Sequence, residues 1–139
     1  MEATALLCDY AEERLGKLYI MGAGWDTVGA NAPTPVAVAL IVHVGWDETN
    51  KPHNLRVELM TEDGEPVELD GNPVHIEGKM ELGRPAGTKA GSVFNAPLAV
   101  RFAALALPPG GYRFEVSVDT NLLKALPFRA LGQPALPGG

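Results

Sequence analysis

Apolar and polar residues alternate along much of this chain with a period of two, the spacing of a β-strand with one dry face and one wet face. Across Asn54 to Thr61, Leu55, Val57 and Leu59 alternate with Arg56, Glu58 and Met60. Val74, Ile76, Gly78, Met80 and Leu82 then alternate with His75, Glu77, Lys79 and Glu81. The segments Glu62 to Pro66 and Asp70 to Pro73 hold the Asp, Gly, Asn and Pro that reverse a chain, with Val67 and Leu69 between them. Residues 36–44 form the longest apolar run, far too short to span a membrane, and its length and β-branched content predict a fully buried strand.

Leu107, Pro108, Pro109, Gly110, Gly111 and Tyr112 lead into the alternating run Arg113 to Val118. A Pro/Gly corner followed by a tyrosine at the first position of a strand is the pattern of the tyrosine corner in immunoglobulin-like sandwiches. Ala3 to Tyr10 and Lys17 to Gly22 predict a first hairpin. The charged, glycine-closed segment Ala11 to Gly16 reverses the chain, and Ala11 to Leu15 is the only candidate for a helical turn. Ser92 to Leu107 predicts a long strand interrupted near Pro97. Tyr112 to Thr120 and Leu123 to Ala130 predict the last two strands. The fold expected is a single all-β, immunoglobulin-like antiparallel β-sandwich of about eight or nine strands over residues 1–130, followed by a Pro/Gly-rich tail, 131–139.

Composition narrows the function classes. The 139 residues are 46% hydrophobic and 20% charged, enough to build a core without disulfides or metal, and a single cysteine, Cys8, rules out an internal disulfide framework. The formal net charge of −6, with no basic cluster, opposes binding to nucleic acid or anionic lipid. Met1 to Ala5 lack the basic start of an export signal. The expected location is therefore the cytoplasm, or a virion if the gene belongs to a phage, with no nucleic-acid or membrane partner.

Chemistry-bearing motifs are sparse. The loop Gly83 to Gly91 carries Arg84 and Lys89, but its order Gly87, Thr88, Lys89 and the strand after it do not make a phosphate loop. His43, His53 and His75 lie on separate segments without ligand spacing, Cys8 alternates with Leu6 and Tyr10 on a strand, and neither Ser92 nor Ser117 sits in a nucleophile elbow. Asp26, Asp47, Asp63 and Asp70 sit at turns, where two precede glycine, and form no calcium loop. No catalytic residue, metal or cofactor is assigned. Gly24-Trp25-Asp26 and Gly45-Trp46-Asp47 repeat at the ends of two strands; if those strands run antiparallel, the two tryptophans lie at opposite poles. Trp25, Trp46, Asp47, His53, Arg84, Lys89 and Leu136 are the candidate contacts for a ligand or partner.

The segments Ala5 to Glu12, Gly16 to Asp26 and Trp46 to His53, together with the Gly83 to Gly87 loop, resemble a family of uncharacterised small actinobacterial proteins, a domain of unknown function. The resemblance extends to about Phe128 and implies one β-sandwich domain, with no catalytic residues to carry over. The expected role is a non-catalytic structural or interaction module, docked by a sheet face, an edge strand or the C-terminal tail onto a protein partner, further copies of itself or a larger assembly. A phage particle, in which the chain serves as a capsid decoration or minor structural protein, is the candidate assembly. The alternative is a cytoplasmic receptor for a small ligand or peptide, with its cleft near Trp46, Asp47, His53 and Arg84.

Overall fold

Two β-sheets pack face to face in the computed structural model, which describes residues 1–132. In chain order the strands are β1 (Glu2–Arg14), β2 (Lys17–Ala23), β3 (Thr27–Gly29), β4 (Thr34–Gly45), β5 (His53–Thr61), β6 (Glu68–Leu69), β7 (Asn72–Pro73), β8 (His75–Met80), β9 (Val93–Leu105), β10 (Gly110–Val118) and β11 (Asn121–Leu131). One sheet has the order β2-β1-β4-β9 and the other β3-β11-β10-β5-β8, while β6 and β7 form a small ribbon beside them. The fold is a β-sandwich with nine strands in its two layers, and the described residues contain no α-helix. Its pairing is antiparallel apart from β3, which runs parallel to β11 because the chain crosses from one sheet to the other at Trp25–Asp26.

The core lies where the inner faces meet. Val36, Val38, Leu40, Val42 and Val44 of β4 face Val57 and Leu59 of β5 and Phe114 and Val116 of β10, all buried. Each such side chain contributes about 1.5–3 kcal/mol through removal from water. Phe114 stands between Phe102, with ring centroids 4.9 Å apart, and Phe128, at 5.6 Å. Tyr112 closes one end of the core: its hydroxyl donates to the Pro108 carbonyl at 2.6 Å, the corner expected from the Pro/Gly approach. Burial pushes the Tyr112 phenol up from its ordinary value.

Two local expectations are corrected. Residues Ala11 to Leu15 do not form a helical turn: β1 continues through Arg14, and Leu15 and Gly16 reverse the chain with φ of +50° and +77°. Left-handed conformation at both positions is the two-residue turn whose twist matches its flanking strands. The long strand is also not interrupted at Pro97. β9 runs through it, with Pro97 opposite Ile41, because an edge strand tolerates a missing donor.

The first hairpin curls out of the plane of its sheet. Ala37 and Ala39 of β4 point away from the main core yet are buried, because Ala11 and Leu18 of the hairpin, with Cys8 and Ala99, close over them in a second, smaller core. β2 accordingly touches β9 although two strands separate them in the sheet. Arg101 of β9 clasps the curl by donating to the Tyr10 hydroxyl at 2.9 Å. Cys8 is sealed in this second core, where burial pushes its thiol up and Sγ donates weakly to the Ala37 carbonyl at 3.5 Å.

Candidate functional site

Three of the sequence candidates, Trp46, His53 and Arg84, meet at one pole. β4 ends in a single 3-10 turn, Trp46–Glu48, fixed by the Gly45 amide donating to Glu48 Oε1 at 3.0 Å and by the Thr49 hydroxyl donating to the Trp46 carbonyl at 2.6 Å. Arg84, from the glycine-rich loop, lays its guanidinium 3.8 Å above the centre of the Trp46 ring. Its Nε donates to Thr49 Oγ1 at 2.6 Å and an Nη to the Trp46 carbonyl at 2.7 Å. Phe94 supports the Trp46 ring from β9, with centroids 6.2 Å apart. A planar cation with fixed fork geometry suits this stack and both bonds together.

His53 stands beside this cluster at the start of β5, 8% exposed. Its Nδ1 meets Asp119 Oδ2 at 2.6 Å and its Nε2 meets the Glu48 carbonyl at 2.7 Å. Both partners are acceptors, so only the doubly protonated imidazolium donates to both. The Asp119 hydrogen bond, reinforced by the Glu48 carbonyl and opposed by burial, raises the His53 pKa above its ordinary value. Asp119 is held below the usual carboxylate range, first by the Asn54 amide, which donates to Oδ1 at 2.9 Å, and then by His53. These bonds tie the 3-10 turn, β5 and the β10–β11 turn into one unit.

The remaining candidates are scattered. Asp47 is exposed on the 3-10 turn, and Lys89 is exposed in its loop, where its carbonyl accepts from the hydroxyl and amide of Ser92. Leu136 lies outside the described residues. Trp25 packs edge-on against Phe128, with centroids 5.9 Å apart, far from Trp46. The reason differs from the conditional expectation: β2 and β4 both pair antiparallel with β1 and therefore run in the same direction. Ala23 ends level with Cys8, whereas His43 stands level with Glu2 and β4 continues two residues further to Gly45, so the two ends are about 26 Å apart along the strands.

Chemically, the pole is a braced junction. The guanidinium of Arg84 and both nitrogens of His53 are already bonded within the protein. A shallow groove of about 620 Å³ runs along Asn54, Arg56, Glu77, Lys79 and Ser117 on the other sheet, where Arg56 is paired with Glu58 and Glu77. Among the described residues no three His, Cys, Asp or Glu side chains gather as a metal site, and no helix is long and apolar enough to cross a membrane.

Sequence reasoning missed the most exposed apolar surface, the first hairpin. Leu15 is 99% exposed at its tip, and Tyr19, Ile20 and Met21 of β2 are exposed behind it, at 54%, 38% and 68%. The available signal was the unbroken run Leu18 to Met21, which lacks the alternation of a strand with one solvated face. No curated protein and no solved structure matches the chain. Residues 3–131 match the model of a family of unknown function, DUF6941, and the chain belongs to that family.

Proposed function

We propose that this protein is a non-catalytic docking module that joins a larger protein assembly through the tip of its first hairpin. A phage particle in an actinobacterial setting is the candidate assembly. One observation carries the reading: Leu15, a large apolar side chain, is 99% exposed in a left-handed conformation with φ of +50°. That backbone region costs a non-glycine residue about 1–2 kcal/mol, and an exposed leucine gains no burial to offset it. The side chain thus contributes nothing to its own fold and suits a pocket on a partner.

Velocity sedimentation of a lysate from the source cells, probed for this chain, tests the proposal. The chain is expected to travel with particles far larger than its 14.7 kDa, and Leu15→Asn to return it to the top of the gradient. Wild-type chain found only at the top of the gradient, or a Leu15→Asn chain that sediments like wild type, overturns it.

A further inference from the structure

We infer that the edge of β2 pairs with β2 of a second copy of this chain, joining two sandwiches through one continuous sheet. This deepens the docking reading and rests on it for the function served, while the geometry concerns a different surface from the Leu15 tip.

The sheet edges differ in how they are protected. β3 has three residues, β9 carries Pro97, and β8 alternates the charges of Glu77 and Lys79 along its length. β2 has none of these devices between Leu18 and Met21. The two-residue turn makes Arg14 and Lys17 the first hydrogen-bonded pair of the hairpin, so the N–H and C=O groups of Leu18 and Ile20 face away from β1. The regular edge ends at Gly22, whose φ is +66°.

A two-fold axis through Tyr19 uses this short edge fully. Leu18 then exchanges hydrogen bonds with Ile20 of the second copy, and Ile20 with its Leu18, four bonds in all. The same axis sets Tyr19 opposite Tyr19 at a non-hydrogen-bonded position, where facing side chains come closest and aromatic pairs are favourable. Met21 falls opposite the alkyl stem of Lys17. Charge agrees with this register. Asp9, Glu12, Glu13, Arg14 and Lys17 of the hairpin sum to −1 in a chain of net charge −6, so two copies meet there with little net repulsion. Antiparallel pairing also brings the basic Arg14–Lys17 end of one hairpin towards the Asp9 carboxylate of the other, which lies over Gly22.

Light scattering on the eluted full chain at tens of micromolar is expected to give twice the 14.7 kDa chain mass, and Tyr19→Lys, which sets two ammonium groups face to face at the axis, to give the chain mass. Under mild oxidation Tyr19→Cys is expected to form a disulfide-linked dimer, since its two sulfurs meet across the axis, whereas Met21→Cys, facing Lys17, is not. A monomeric wild type, a Tyr19→Lys variant that remains dimeric, or cross-linking through Met21→Cys instead of Tyr19→Cys overturns the pairing. The cysteine pair decides the matter if Tyr19→Lys does not fold. A monomer that still sediments with large particles defeats only the self-pairing, and a dimer found only at the top of the gradient defeats only the docking reading.

Discussion

His53 Nδ1 and Asp119 Oδ2 meet at 2.6 Å across 66 residues of sequence, joining the first residue of β5 to the turn between β10 and β11. Folding raises the imidazole's pKa, so its stabilising contribution is complete below the unfolded value of 6.5 and is lost as pH rises through the folded value. Folding lowers the pKa of Asp119, so that contribution is present above 3.8 and is lost as pH falls through the depressed value. The pair is therefore strongest between about pH 4 and pH 6.5. Melting temperature is expected to fall from pH 6 to pH 9, and His53→Gln to flatten that slope; thermal melts followed by circular dichroism check both.

The Tyr112 corner offers a second test. Tyr112→Phe keeps the ring against Phe128, where centroids lie 5.7 Å apart, and removes only the bond to the Pro108 carbonyl. The expected cost is about 1–2 kcal/mol, the scale of leaving a carbonyl without its partner. Urea unfolding is expected to show an earlier midpoint with an unchanged slope.

Leu15 separates stability from association. Asparagine tolerates the left-handed region better than leucine, so Leu15→Asn is expected to raise stability by about 0.5–1 kcal/mol while removing the exposed side chain that docks. A variant that melts higher and sediments as free chain fits this expectation; one that melts lower shows Leu15 to be structural.

Arg84 braces the pole through its plane. Arg84→Ala is expected to cost about 1 kcal/mol and to expose Trp46 to acrylamide quenching. Arg84→Lys is expected to recover little of either, because an ammonium does not stack flat while reaching both Thr49 Oγ1 and the Trp46 carbonyl.

Most of the sandwich was legible because its signals are local. The period-two pattern of β5 and β8, the apolar run that became β4, and the Pro/Gly approach to Tyr112 each depend on neighbours in sequence. The extension of β1 through Arg14 was not, because Ala11 is buried in a small core whose other members include Ala37 and Ala39, which come from another strand. The site was legible in part. Trp46, His53 and Arg84 do converge, yet the partner that fixes His53 is Asp119, a turn residue 66 positions away with no motif to mark it. Leu15 was unreadable as an exposed tip because a leucine in sequence suggests burial, and only the left-handed turn places it outside.

The seam beneath the curled hairpin has one further consequence. Its contact surface is mostly methyl groups, those of Ala11, Ala37, Ala39 and Ala99, with Cys8 and Leu18 beside them, so the backbones approach closely and the hairpin's tilt follows largely from small side chains. Exchanging one methyl for an isopropyl group, as in Ala39→Val, would act as a wedge, re-aiming both Leu15 and the open edge of β2 while the interior between the two sheets stays as it is. In this architecture the direction of attachment is adjustable separately from the integrity of the body that bears it.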